Sequence, residues 1–336
     1  MHHTFRLAAI AVAVLAVAPV AAQEYDPDYR ATFSIVARDA EAEELGHAEA
    51  SKALAGGTNF GAGKGGVGMI TNQASTLIMY GKLGIEMLEM GFSPEEALEF
   101  LLRADEDRER RQVAIIDIEG RTAAFTGSSP REWKGHHCGV DYCVQGNSLA
   151  GPEVLDAMAR SFESSTGPLA ERLVSALEAG EAEGGDRRGK QESYLLVVRR
   201  GASSGGFSDK VVEIRVDDHT APITEARRIL NRIRSQQMLG EGNRRFEEGE
   251  REEGLRIFTE ATEKSPENDN AWIALAHGHL RSGRTDAALE ALRTAVELNP
   301  GNRVALPENQ NFEPLWADPE FRALTADPAR SPRENR

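Results

Sequence analysis

Thr32 is the residue on which chemistry could be built. A threonine hydroxyl becomes a self-contained nucleophile at a free N-terminus, where its own α-amino group, with an ordinary pKa of about 7.7–8.0, can take the hydroxyl proton near neutral pH. An internal threonine has no such base and serves most often as a β-former. Residues 1–22 read as a secretory leader, with Arg6 in a short charged start, an apolar run from Leu7 to Val20, and Val20-Ala21-Ala22 as a small-residue cleavage site. The processed chain would then begin at Gln23. Gln23–Ala31 still precedes Thr32, so freeing its amine requires a second cut, autocatalytic or by another protease.

Other stretches match the spelling of reactive motifs without their context. Gly61–Gly66, GAGKGG, satisfies G-x-G-x-x-G. A dinucleotide loop must open a helix, however, and Val67–Asn72 reads as a buried strand, so the glycines mark a flexible connection over Ala53–Gly66. Gly201–Gly205, GASSG, matches a nucleophile elbow but lies between two strands, as a hairpin loop does. In Asp217-Asp218-His219, neighbouring side chains on a strand point to opposite faces, which works against a shared cation. The two cysteines, Cys138 and Cys143, sit in HHCGVDYC. Pairing would pin a local turn, worth about 2 kcal/mol by loop entropy. Two alternatives stand beside it: free thiols, or zinc ligation by His136, His137, Cys138, Asp141 and Cys143. A structural zinc site usually separates its ligands into two pairs.

The elements that must position Thr32 follow from periodicity. Ala31–Asp39 alternates as a strand, with Phe33, Ile35 and Ala37 on one face and Thr32, Ser34, Val36 and Arg38 on the other. Gly46–Ser51 is a second short strand. Ala74–Met90 has helical spacing and is closed by Gly91, and Ser93 caps a second helix with Pro94 at its first position, running to about Arg103. Val113–Ile118 and Arg121–Phe125 form a hairpin around Gly120. Pro152–Phe162 and Pro168–Ala179 are further helices, the second closed by Gly180, and Tyr194–Val198 pairs with Val211–Val216. Strands, two helices, then strands again suit a layered α+β sandwich better than alternating β-α-β units.

From Thr224 the chain turns helical and charge-rich, and Gly249, Phe258, Ala261 and Pro266 recur 34 residues later as Gly283, Leu292, Ala295 and Pro300. This resembles the tetratricopeptide repeat, with Trp272 and Leu275 at its early aromatic and leucine positions. The first copy departs from it, with Met238 and Glu241 in those places. Two copies need covers, expected from Ala226–Gln236 or from a tail helix near Asp318–Leu324. The 336 residues suffice for one large and one smaller domain, and the net charge of −15 opposes sequence-independent binding to nucleic acid or anionic membranes. The leader's apolar run is too short to span a bilayer and no second run occurs, so no membrane span is expected.

Seven motifs in one order, TFSIVARD, GVGMITNQA with Gly81 following, RQVAIID, Thr126–Gly127, QGNSL, GGDRRGKQ and VEIRVDDHTAPITEARRIL, resemble the domain of unknown function 1028 family, which is grouped with the N-terminal-nucleophile (Ntn) hydrolases. The resemblance implies a four-layer αββα Ntn-hydrolase-like sandwich over residues 31–223; the repeats make an all-α module over 224–302, followed by a cap and tail over 303–336. It implies amide hydrolysis with Thr32 as nucleophile and a small amide or peptide substrate. Asn147, Asp186, Arg188 and Gln191, polar residues of the family motifs, are the candidates for binding substrate or stabilising an oxyanion; as residues alone they could equally cap turns. No cofactor or metal is called for. The repeats point to a protein or peptide partner, a homo-oligomer is compatible, and the leader places the product in the periplasm or outside the cell. The rival reading is a noncatalytic exported scaffold that uses the same fold and works through its repeats.

Overall fold

The computed structural model describes residues 29–30 and 32–326, so Ala31, the last ten residues and residues 1–28, which include the expected leader, lie outside the described residues. In chain order the strands are β1 (Tyr29–Arg30), β2 (Thr32–Asp39), β3 (Glu44–Ser51), β4 (Gly61–Lys64) and β5 (Gly68–Ser75), followed by helices α1 (Met79–Glu89) and α2 (Pro94–Ala104). Next come β6 (Arg111–Asp117), β7 (Thr122–Thr126), β8 (Gly135–Gly139) and β9 (Tyr142–Gly146), then α3 (Glu153–Ser164), α4 (Leu169–Ala182), β10 (Glu192–Val198) and β11 (Lys210–Val216). One antiparallel sheet has the order β1-β5-β6-β7 with β4 also on β5, and the other has the order β11-β10-β3-β2-β9-β8. The domain is thus mixed α and β. Its chain crosses from the first sheet to the second between Arg30 and Thr32.

Alternation decides what each strand face meets. Ile70, Val113 and Ile115 pack against Tyr80, Leu88, Leu98 and Leu101 of α1 and α2. On the second sheet, Phe33, Ile35, Ala48, Leu195 and Ile214 pack against α3, α4 and the following helix. Between the sheets, Val36, Leu45, Met69, Ile116, Cys143, Leu196 and Val198 form a third apolar cluster. Each large side chain buried this way contributes about 1.5–3 kcal/mol. The cluster fills only one end of the space. Toward the other end the same inward faces carry Thr32, Ser34, Glu49, Ser51, Gln73, Gln112, Gln145 and Asn147, all buried. Polar groups there must find partners to break even.

The helical part comprises α5 (Pro222–Glu247), α6 (Arg251–Lys264), α7 (Asp269–Arg281), α8 (Thr285–Leu298), a short α9 (Asn302–Ala305) and α10 (Pro319–Thr325). Gly249 and Gly283, one repeat apart, both take positive φ (88° and 73°) where helix pairs turn. Leu255, Phe258, Leu275, Leu289 and Leu292 make the core, and Phe312, Leu315 and Phe321 close its end. Trp272 donates its indole N–H to Pro266 O at 2.9 Å. The 26-residue α5 serves two cores: Ile223, Ala226 and Leu230 belong to the second sheet's helical face, Leu239 and Phe246 to the repeats. No helix among the described residues is long and apolar enough to cross a membrane.

Four sequence expectations are corrected. Gly61–Lys64 is a strand, because its glycines let the backbone pack against His47 and Met69 where a Cβ would not fit; a Cβ at Gly61 would lie 2.4 Å from His47 Nδ1. Ala74 and Ser75 end β5 instead of opening a helix, since Asn72 Oδ1 accepts Leu77 N–H (3.0 Å) and turns the chain before α1. Gly180 lies inside α4, where a Cβ would meet Met158 at 2.8 Å, and Gly184, at φ 103°, follows the true end. The cysteine segment is a pair of strands, not a local turn alone.

Candidate functional site

The antiparallel order brings the start of β2, the ends of β3 and β9 and the start of β10 to one end of the second sheet, with Thr32 paired to Ser51 and Ser51 to Glu192. Facing them are the end of β5, the start of β6 and the end of β7. Thr32 is fully buried here. Its carbonyl accepts from the backbone N–H of Asn147 (3.1 Å) and from Gln73 Nε2 (2.9 Å). Gln73 Oε1 accepts from Ser34 Oγ at 2.7 Å, so this amide ties β5 to β2.

Gln112 is the hub of the network. Its Oε1 accepts from Gln73 Nε2 (2.8 Å) and Asn147 Nδ2 (2.9 Å), while its Nε2 faces Gly146 O (2.8 Å), Gly135 O (3.0 Å) and Thr126 Oγ1 (3.0 Å). Thr126 Oγ1 is in turn 2.9 Å from His136 Nδ1, and burial together with neighbouring His137 lowers the His136 pKa. A continuous chain of polar contacts therefore runs from a histidine of the β8 edge to the Thr32 carbonyl. Such a chain holds the end of β2 rigidly between the sheets.

Among the predicted residues, Thr32 and Asn147 are brought together. Asp186 is one strand further on: its Oδ2 accepts from Lys52 N–H (3.1 Å), next to Thr32's partner Ser51, and its Oδ1 accepts from Arg188 N–H (2.9 Å). Arg188 Nη2 closes an ion pair with the same carboxylate at 2.7 Å. This pair anchors the Gly184–Gln191 loop. Gln191 turns away, donating to Asp218 at 3.2 Å. A cavity of about 90 Å³ beside this end is lined by Phe33, Ser51, Gly185, Asp186, Lys190 and Glu192.

A larger open depression of about 610 Å³ lies at the far end of the sheets, around Lys64, Gly66, Phe92, Arg121 and Arg200. Its cations are engaged, Lys64 with Glu89 and Arg121 with Asp117. The glycines of GAGKGG serve packing: a Cβ on Gly65 would overlap the Arg199–Arg200 backbone at 2.3 Å, and Gly65 N–H is given to Asp209 (3.0 Å). That is a loop seat, not a phosphate cradle.

Gln73, Gln112, His47 and Glu49 were not singled out from the sequence. The only signal was period two: in Glu44–Ser51 the polar face reads as solvent-facing unless the opposing sheet is known. His47 and Glu49 are both fully buried, with Nε2 and Oε2 3.7 Å apart. Burial pushes the His47 pKa down to about 3, and burial, reinforced by Glu192, pushes that of Glu49 well above the carboxylate range. Cys138 and Cys143 face each other directly across β8 and β9 and are joined as a disulfide. No group of three or more His, Cys, Asp and Glu among the described residues converges as a metal set.

Comparison with known proteins agrees with this division. Residues 32–226 match the model of a family of unknown function (DUF1028), and residues 245–306 match the tetratricopeptide repeat. The crystal structure of a DUF1028 protein from Silicibacter pomeroyi is similar, with 31% sequence identity and a TM-score of 0.54 over 60% of this chain and 88% of that one. No curated protein matches.

Proposed function

This chain belongs to the family of unknown function DUF1028 and ends in tetratricopeptide-type repeats that suit it to contact other proteins, and we propose that its first domain is an Ntn-type amide hydrolase, a four-layer αββα sandwich with Thr32 as nucleophile. The observation that carries the reading is the setting of Thr32: first residue of a central strand, between two facing sheets, with the Asn147 backbone N–H on its carbonyl and a two-residue strand of the opposite sheet ending two residues before it. A cut at the Ala31–Thr32 bond would free the α-amine while the hydrogen bonds to the Thr32 carbonyl keep the residue in place.

With the amine free, it takes the Thr32 hydroxyl proton as Oγ attacks the substrate carbonyl. The amine then protonates the leaving nitrogen, and water resolves the ester. Asn147 is the candidate donor to the oxyanion; Gln73 and Gln112 position it and the strand. Asp186 and Arg188 shape the loop at the cavity, and Gln191 lies at its margin. We place the protein outside the cytoplasm, where the leader would send it.

A second reading, a noncatalytic scaffold, is favoured by the full burial of Thr32. Intact mass of the protein from its natural compartment separates the two. The hydrolase reading expects a chain beginning at Thr32 and loss of amidase activity in Thr32→Ala with the circular dichroism unchanged. A chain beginning at Gln23, uncut further and inactive on a broad amide panel, leaves the scaffold.

A further inference from the structure

Between β3 and the β4–β5 hairpin, a group of buried polar atoms has no hydrogen-bond partner among the described residues: both ring nitrogens of His47, both carboxyl oxygens of Glu49 and Thr71 Oγ1. Native interiors leave few such atoms, and so many in one layer call for a common explanation. The facing row of the first sheet is Gly61, Thr71, Ala114 and Ala124, all small, which makes room for the long side chains opposite. Gly61 seats the ring: His47 Nδ1 lies against its backbone, leaving Nε2 directed to Glu49.

We propose that His47 and Glu49 bind one divalent cation of the zinc type between Nε2 and Oε2. The geometry favours an ion over the alternatives. At 3.7 Å the two atoms are too far apart for a direct hydrogen bond. A cation lies about 2.0–2.2 Å from imidazole nitrogen and carboxylate oxygen, so this separation gives an angle of roughly 120° at the ion. A water at about 2.8 Å from both would have to close its angle to roughly 80°. The donor set also fits, since imidazole and carboxylate are taken together by zinc and its neighbours. The proposal does not depend on Thr32 being a nucleophile.

The test uses the full chain, stripped with chelator and dialysed, with Zn²⁺ as probe. Calorimetric titration and elemental analysis should return one zinc per chain. His47→Gln and Glu49→Gln should each weaken that site at least 100-fold, while the double variant His136→Ala, His137→Ala, which removes the exposed imidazole pair, keeps it. Should His47→Gln fail to fold, the isosteric Glu49→Gln decides. A zinc-soaked crystal should show anomalous density between Nε2 and Oε2. No stoichiometric zinc, a site retained in both His47 and Glu49 variants, or a direct His47–Glu49 hydrogen bond or an ordered water at that place would overturn the proposal.

Discussion

Two neutralised ionisable groups sit side by side between the sheets, and each leaves a thermodynamic trace. For Glu49 the folded pKa is raised, so above the ordinary value of 4.5 the unfolded chain has released a proton that the folded chain still holds. Stability then falls as pH rises, by at most about 1.4 kcal/mol per pH unit for one proton. For His47 the folded pKa is lowered to about 3 from 6.5, so between those values the unfolded chain holds the extra proton and stability rises with pH. Glu49→Gln, assayed in EDTA, should therefore gain stability over the parent as pH goes from 5 to 8, read from urea midpoints; an unchanged difference across that range would mean that Glu49 is ionised in the folded chain. Neither residue was visible as special in ELGHAEAS. Thr32 and Asn147 were, through the family motifs they stand in, whereas burial of a polar face depends on an opposing sheet formed further along the chain.

At the level of elements, Gln112 joins the two sheets more than any apolar contact does at that end. Replacing it with alanine removes the acceptor that Gln73 and Asn147 share and the donor to Gly135 and Gly146. Buried groups left without partners cost about 1–3 kcal/mol each, so Gln112→Ala should destabilise the domain by roughly 3 kcal/mol in urea unfolding. A loss under 1 kcal/mol would show that water replaces the amide easily. The β8–β9 disulfide is a smaller matter: Cys138→Ala with Cys143→Ala should cost about 2 kcal/mol, since the bridged loop is short. Strand pairs and capped helices were readable in the sequence, as with Ser93, the expected N-cap, which with Glu96 forms a reciprocal capping box. GAGKGG and Gly180 were not. A glycine that permits close approach of another backbone looks, in one dimension, the same as a glycine that turns the chain.

For the whole molecule, the change of character near Thr224 was plain in composition, but α5 does not respect it as a seam. Ile223, Ala226 and Leu230 complete the core of the first domain before the helix enters the repeats. A chain ending at Asp218 should lose those contacts and unfold at lower temperature than one ending at Gln236, compared by calorimetry; equal midpoints would make the first half of α5 dispensable. Ion pairs also cross: Arg234 of α5 and Lys264 of α6 both meet Glu171 of α4, and Arg228 of α5 reaches Glu267.

A helix shared by two cores also sets a rotational phase between them. Each residue added to α5 between Arg232 and Ser235 would turn everything downstream by about 100° and advance it by about 1.5 Å. The repeats would swing around the sandwich like a hand around a dial, and Lys264 would leave Glu171 behind. Seven added residues, close to two full turns, would bring the same faces back into line at about 10 Å greater distance. Length variation at this junction is therefore tolerable in steps of turns rather than of residues, and the bearing of the repeat surface relative to Thr32 is carried by a count along a single helix.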